Sequence, residues 1–398
     1  MSVSLVALHL PPTQLPRALR DVWDDGDAAL PLPWGAPDAT RDELVRRLRP
    51  GRLVRAGDDG SSPEELTLPD ARHLPEGTAL VLTTSGSTGV PKGVVVSHTA
   101  LAASTTASVA RLGAEPGDRF ALALPLHHIA GLQVVLRAWA CGTQADVVTD
   151  PGDPGSLASA AADHLSLVPT QLARLLDDQR GRTTLARWRS VLVGGAALDA
   201  RLADRAAALH APVVTSYGMT ETCGGCVYDG RPLDGVEVAI GTDRRIRIRG
   251  PVVCSGYLDP GADALQEAVG ADGWFTTADA GVVRDGRLHV LGRVDGTVIS
   301  GGENVPVEVV ATTLRTHAAI ADAAVTGVPD AEWGQRVVAV VVPTDPDVPP
   351  DLETLRDLVR RTHPTAYAPQ QLVLTTELPR DAMGKVSVAA LRRLAERT

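Results

Sequence analysis

Residues 84–92, Thr-Ser-Gly-Ser-Thr-Gly-Val-Pro-Lys, place four hydroxyls and two glycines ahead of a lysine. Glycines let backbone N–H groups approach an anion, hydroxyls add donors and Lys92 supplies charge, so this loop has the chemistry to cradle a triphosphate. The order Gly-x-x-x-x-Gly-Lys-Ser/Thr cannot be read in it, which separates it from a Walker loop. Strand-like apolar runs flank it, Thr78-Ala-Leu-Val-Leu82 and Gly93-Val-Val-Val96. That placement argues against a plain Ser/Gly/Thr linker.

Four further stretches concentrate chemistry-bearing side chains: Leu124-Pro-Leu-His-His-Ile-Ala-Gly131, Ser216-Tyr-Gly-Met-Thr-Glu221, Thr276-Thr-Ala-Asp279 with Gly292-Arg-Val-Asp295, and Leu378-Pro-Arg-Asp-Ala-Met-Gly-Lys385. A scaffold must hold them. From Thr78 to about Val214, expected strands at Phe120–Leu124, Gln144–Val148, Leu165–Val168 and Ser190–Val193 alternate with amphipathic helices at Leu101–Leu112, Thr170–Leu176 and Ala200–His210. This is the βαβ pattern of a mainly parallel sheet flanked by helices, an α/β fold. Beyond residue 230, short strands and the turn Arg284-Asp-Gly286 predict a small antiparallel β unit. From Val294 onward, strands at Ala323–Gly327, Val337–Val342 and Gln371–Thr375 and helices at Glu308–Thr316 and Leu352–Thr362 predict a compact α+β domain. Gly292-Arg-Val-Asp-Gly296 reads as a hinge, which sets domains at 1–294 and 295–398.

Composition narrows the function. The 398 residues allow two unequal domains, and a net charge of −10 disfavours nucleic acid and anionic membranes as partners. The first ten residues read as a strand without a basic leader, and no uncharged apolar run reaches the roughly 18–20 residues of a membrane span. The run from Ile129 to Val148 carries Arg137 and Asp146. Of four cysteines, Cys223 and Cys226 form Cys-x-x-Cys, yet no second pair accompanies them. Unpaired thiols in a reducing, cytoplasmic compartment are the expectation.

In order and spacing, the five stretches resemble the acyl-adenylate-forming superfamily of acyl-CoA ligases, luciferases and peptide-synthetase adenylation domains, over about residues 78–392. The resemblance implies a large N-terminal domain, a small mobile C-terminal lid, and ATP, Mg2+ and coenzyme A as reactants. A carboxylate would attack the α-phosphorus of ATP, expel pyrophosphate and form an acyl-adenylate, which a thiol converts to a thioester. Carboxylates are already ionised near neutral pH, so the first half needs positioning and charge neutralisation rather than a base.

By that resemblance Thr84, Ser85, Gly86, Ser87, Thr88, Gly89 and Lys92 hold the β- and γ-phosphates. Thr220 contacts the α-phosphate and Glu221 carries Mg2+. Ser216, Tyr217 and Gly218 line the adenine site with the Gly194, Gly195 and Ala196 backbone. Asp279 binds the ribose and Arg293 assists, although the family's usual Thr-Gly-Asp is Thr-Ala-Asp here. Lys385 bridges the reacting carboxylate and α-phosphate. Asp295 is the hinge, followed by Gly296 in place of a common acidic residue, and Gly301 and Gly302 line the pantetheine path. Each of these residues taken singly also fits a packing or turn role.

The stretch His127–Leu176, with Ser166-Leu-Val-Pro-Thr-Gln171 inside it, is similar to the 2-succinylbenzoate-CoA ligases of menaquinone biosynthesis. That implies an aromatic carboxylic acid substrate with a spare carboxylate. Arg137 is the only formal charge between Ile129 and Ala145, and burying an unpaired guanidinium is costly. Either the spare carboxylate, bound with Gln133 one helical turn earlier, or a nearby Asp or Glu meets it. His128 is substrate-proximal, in a core, gating or proton-transfer role, and a homodimer is the assembly to test. An aryl- or medium-chain acyl-CoA ligase, a non-catalytic nucleotide-binding homologue and a carrier-loading adenylation enzyme are the competing readings.

Overall fold

A computed structural model describes residues 3–57, 62–85, 91–258, 264–294, 297–300, 303–330, 333–380 and 384–397. The chain divides into two compact units, one of Met1–Val238 with Ile248–Thr276, the other of Ala239–Arg247 with Thr277–Thr398. The strands expected as a small β unit therefore group largely with the C-terminal residues.

Two sheets organise the first unit. One runs in the order Leu265–Glu267, Gly256–Leu258, Pro91–Ser97, Thr78–Ser85, Ala28–Pro31, Val3–His9, Arg52–Arg55, Glu64–Thr67, with His73–Leu74 beside the Val3–His9 strand. The other runs Arg231–Pro232, Gly224–Tyr228, Val213–Met219, Ser190–Val193, His164–Leu167, Phe120–Leu122, Asp146–Val147. From Val213–Met219 to Asp146–Val147 its strands are parallel, with Val191 opposite Leu165 and Val213. Parallel strands covered on both faces bury every side chain, which is why Phe120–Leu122, His164–Leu167 and Ser190–Val193 are buried throughout. Their carboxyl ends share one edge of the sheet, so the segments carrying His128, Gly194–Ala196 and Thr220–Glu221 all leave from that edge, where open α/β sheets host ligands.

Helices begin earlier than apolar periodicity suggests where a cap supports them. Ser97 accepts a hydrogen bond from the Ala100 N–H at 3.1 Å and starts the helix at His98. Gly113, at φ 62°, ends that helix. The helix Ile129–Ala140 is buried on nearly every side, Leu132, Val134 and Ala138 being inaccessible, and carries Arg137 inside the core. The expected strand Gln144–Val148 shrinks to Asp146–Val147, an edge position where Arg119 pairs with Asp146.

In the second unit, Phe275–Arg284 and Arg287–Arg293 form a hairpin through Asp285 and Gly286, both at positive φ, the signature of a two-residue type I′ turn. The hairpin belongs to a four-stranded sheet with Glu237–Ile240 and Arg245–Arg249. A five-stranded sheet centred on the long pair Ile320–Asp330 and Gly334–Pro343 carries helices Val307–Arg315, Leu352–Arg360 and Val388–Glu396. Among the described residues no helix is long and apolar enough to cross a membrane.

Candidate active site

The phosphate-loop residues sit at the head of an antiparallel hairpin whose strands, Thr78–Ser85 and Pro91–Ser97, place Thr84 directly opposite Lys92. Gly86, Ser87, Thr88 and Gly89 lie outside the described residues, and Ser85 is described only as the end of its strand. Lys92 Nζ stands 5.8 Å from the centroid of the Tyr257 ring, a cation–π approach across the neighbouring strand, where Tyr257 opposes Val94. Tyr257 then donates from its hydroxyl to Glu221 Oε1 at 3.3 Å. Burial, with the adjacent Glu221 carboxylate, pushes the Tyr257 phenol above its ordinary pKa, so it remains a donor. Spacing in the sequence offers no sign of Tyr257, because the contact joins residues brought together by the sheet.

Glu221 belongs to a one-turn 3₁₀ segment, Thr220–Thr222, after the strand Val213–Met219. A bulge between Tyr217 and Gly218 bends that strand's end, and at Gly218 a Cβ would lie 2.0 Å from the Gly224 carbonyl oxygen, so only glycine fits. The fully buried Thr222 hydroxyl accepts from Met219 N–H at 2.9 Å and lies 2.8 Å from the Gly224 carbonyl as donor. The Glu221 carbonyl accepts from Cys254 N–H at 2.8 Å. Its backbone and carboxylate are thus both tied. Gly194 packs beside Ser216, whose Cβ lies 3.2 Å from where a Gly194 Cβ would stand, and Gly195 and Ala196 follow.

Arg137 is 3% exposed. Its Nη1 donates to Ser108 Oγ at 3.3 Å and its Nη2 to Ser166 Oγ at 3.0 Å, while Nε has no hydrogen-bond partner. Ser108 also meets Tyr228 Oη at 2.8 Å, and the Phe120 ring centroid is 5.9 Å from the guanidinium carbon. Burial pushes the guanidinium down from its ordinary pKa. Among the described residues no Asp or Glu pairs with it. The expected alternative of a protein counter-ion is not what the packing supplies; neutral hydroxyls hold this cation. Gln133, equally buried, spends its Nε2 hydrogens on Ser104 Oγ at 3.2 Å and the Cys223 carbonyl at 2.8 Å, and its Oε1 accepts from Thr105 at 3.3 Å. His128 stands at the N-cap of the same helix, its ring 4.2 Å from that of His127, whose pKa burial lowers.

Asp279, Arg293 and Lys385 belong to the second unit. Asp279 lies within the strand Phe275–Arg284, directly opposite Arg293, so the expected ribose pair stands side by side on one hairpin. Its N–H donates to the buried Thr277 hydroxyl at 3.1 Å. Asp295, Gly301 and Gly302 lie outside the described residues. All four cysteines are free and buried; burial and neighbouring thiols raise Cys223 above its usual pKa, and burial pushes Cys226 and Cys254 up to about 12. They are poor nucleophiles and poor metal ligands in that state.

The family model for AMP-binding enzymes matches residues 3–258, and that for the AMP-binding enzyme C-terminal domain matches 310–385. The chain belongs to the AMP-binding enzyme family. A probable 2-succinylbenzoate–CoA ligase of Mycobacterium tuberculosis is 42% identical over 333 residues, covering 81% of this chain and 85% of the relative. The Bacillus subtilis o-succinylbenzoate CoA synthetase (MenE), in complex with the acyl-adenylate intermediate OSB-AMP, superposes with a TM-score of 0.80 at 26% identity, over 98% of this chain and 87% of that one. ATP-bound MatB from Rhodopseudomonas palustris superposes with a TM-score of 0.86 at 25% identity, over 99% and 89%.

This AMP-binding enzyme is an ATP-dependent, AMP-forming acid–thiol ligase with CoA as co-substrate. Among the described residues no group of three or more His, Cys, Asp and Glu gathers around a metal position. One fixed carboxylate, Glu221, fits Mg2+, which prefers one or two carboxylates together with phosphate oxygens and water. When bound, Mg2+ neutralises charge on the triphosphate.

Proposed function

We propose that this enzyme converts 2-succinylbenzoate, ATP and CoA to 2-succinylbenzoyl-CoA, AMP and pyrophosphate, a step in menaquinone biosynthesis. The observation that carries the substrate is Arg137: a buried guanidinium held by Ser108 and Ser166 hydroxyls, with an unpartnered Nε and no carboxylate beside it among the described residues. A diacid supplies the missing anion with the carboxylate that is not activated. The names of the curated relatives point to the same acid.

In this reading the reacting carboxylate attacks the α-phosphorus, the α–β phosphoanhydride bond breaks, and pyrophosphate leaves from the grip of residues 84–89 and Lys92. Thr220 contacts the α-phosphate, Tyr217 covers the adenine between Ser216–Gly218 and Gly194–Ala196, and Asp279 with Arg293 holds the ribose. Lys385 neutralises the charge that moves between the carboxylate and the α-phosphate. The CoA thiol then loses its proton, attacks the acyl carbon and displaces AMP. His128 borders the acyl channel. A swing of residues 295–398 about Asp295 exchanges Lys385 for CoA, whose pantetheine runs past Gly301 and Gly302. Gln133, with both amide hydrogens engaged internally, serves by holding the Arg137 helix.

The reading includes a cytoplasmic enzyme, and a homodimer checked by its mass in solution. The deciding experiment measures ATP- and CoA-dependent thioester formation with 2-succinylbenzoate, benzoate and octanoate. A kcat/KM for the diacid well above both monoacids supports the assignment. Equal rates would reassign the chain to general aryl- or medium-chain acids, and absence of pyrophosphate exchange with every acid would leave a nucleotide-binding homologue.

A further inference from the structure

Arg380 lies in the same stretch as Lys385 and makes two strong contacts. Its Nη1 donates to the Gly384 carbonyl at 2.6 Å, and its Nη2 donates to Asp322 Oδ2 at 2.6 Å. Gly384 is the residue before Lys385, and its φ of 73° is one that side-chain-bearing residues rarely adopt. The Arg380 and Val386 backbones form an antiparallel bridge, and Ser387 N–H donates to the Pro379 carbonyl at 2.8 Å. The segment bearing Lys385 is thereby closed at its base by backbone and cross-braced by one guanidinium.

Asp322 is itself fixed. It follows a bulge in the strand Ile320–Asp330, where the register shifts between Ile320 and Asp322. Its Oδ1 accepts from Ala323 N–H at 2.8 Å and lies 3.4 Å from Arg315 Nε. Arg315 in turn donates to the Ala323 carbonyl at 3.0 Å and to Glu308 Oε1 at 2.9 Å. A continuous chain of charged groups runs from the helix Val307–Arg315 through the sheet to the peptide that precedes Lys385. Glycine has more backbone conformations open to it than any other residue, so Gly384 leaves the chain entering Lys385 free to turn. A planar guanidinium with two donors engaged on different partners removes that freedom in a way a single ammonium does not.

We propose that Arg380, anchored on Asp322, is a positioning residue that sets the direction of Lys385 for the adenylation half-reaction. The inference rests on Lys385 serving that half-reaction, so Lys385→Ala is measured alongside. For Arg380→Gln, acid-dependent pyrophosphate exchange falls on the order of 10²-fold in kcat, the loss a displacement of about 1 Å produces. KM for ATP stays near wild type, as does thioester formation from a supplied, synthetic acyl-adenylate. Amide hydrogen exchange at residues 384–387 accelerates. Arg380→Lys keeps a charge for Asp322 but lacks the second fork, so it restores thermal stability without restoring exchange.

Three results overturn the proposal. Wild-type exchange in Arg380→Gln, with Lys385→Ala inactive, shows that the brace is dispensable. Equal loss of both half-reactions in Arg380→Gln assigns Arg380 to general folding. Wild-type exchange in Lys385→Ala removes the underlying role of Lys385 itself, an outcome distinct from the other two.

Discussion

Gln133 Nε2 donates to the Cys223 carbonyl at 2.8 Å and so joins the helix that carries Arg137 to the turn that carries Thr220 and Glu221. The joint is wholly buried, which makes it stiff: neither partner can turn to water without opening the core. Gln133→Leu takes one of two donors from the Cys223 carbonyl, which keeps the Ser104 hydroxyl at 3.1 Å, and removes the acceptor of the Thr105 hydroxyl, destabilising the first unit by about 1–3 kcal/mol in denaturant unfolding. KM for ATP and for the acid rise together. A rise confined to the acid would make Gln133 a direct ligand of the substrate instead.

Arg137 behaves differently because no protein charge depends on it among the described residues. Arg137→Met removes a desolvated cation without orphaning a carboxylate, so stability changes little or increases, as when buried ions are replaced by apolar side chains. KM for 2-succinylbenzoate rises by roughly 10–100-fold, the worth of a hydrogen bond to a charged group, while benzoate is unaffected. A large loss of melting temperature would instead assign Arg137 to the core.

Tyr257→Phe removes the donor to Glu221 Oε1 and keeps the ring that faces Lys92. At 3.3 Å the bond is long, and its loss raises the Mg2+ concentration needed for half-maximal ATP binding by roughly ten-fold. Calorimetric titration of ATP at several Mg2+ concentrations reads this without turnover. The acid KM remains where it was; a shift there would disconnect Tyr257 from the phosphate end.

At the amino ends of the parallel strands, His164 Nδ1 lies 2.8 Å from Ser190 Oγ and its Nε2 3.1 Å from Asp118 Oδ2, with Arg189 Nη1 2.7 Å from Asp118 Oδ1. Serine, histidine and aspartate meet here in a buried knot on the edge away from the Thr220–Glu221 turn, stacked on Phe120, so the arrangement ties strands rather than attacks a substrate. Burial holds His164 below its ordinary pKa of 6.5. Asp118, despite burial, is held below the usual carboxylate range by the Glu115 N–H, His164 and Arg189. Between pH 6.5 and the lower folded value the unfolded chain protonates this histidine and the folded chain does not, so stability falls on acidification. Asp118 adds a second loss below the normal carboxylate pKa. The unfolding midpoint is therefore lower at pH 5 than at pH 7, and His164→Asn flattens that slope; an unchanged slope would place the titration elsewhere.

Chemistry by residue type is local, and the sequence carried it: the hydroxyl–glycine–lysine loop, the Tyr-Gly-Met-Thr-Glu turn and the Gly-Lys near the end all stood out. Alternating apolar segments were equally legible, so Ser190–Val193 appears at the residues expected of it. Edges were less so. Asp146–Val147 is short because an outer strand has one neighbour to pair with, and Asp279 lies in mid-strand because its partner across the hairpin is Arg293. Tertiary structure alone decided the partners. Ser108 and Ser166 reach Arg137 from 29 residues away on either side, and Tyr257 reaches Glu221 from 36 residues away. Such contacts depend on which strands and helices lie side by side, a property of the folded whole that no spacing along the chain encodes. The spare charge of Arg137 was visible in one helix's sequence, but only packing determined that hydroxyls, and no carboxylate among the described residues, would surround it.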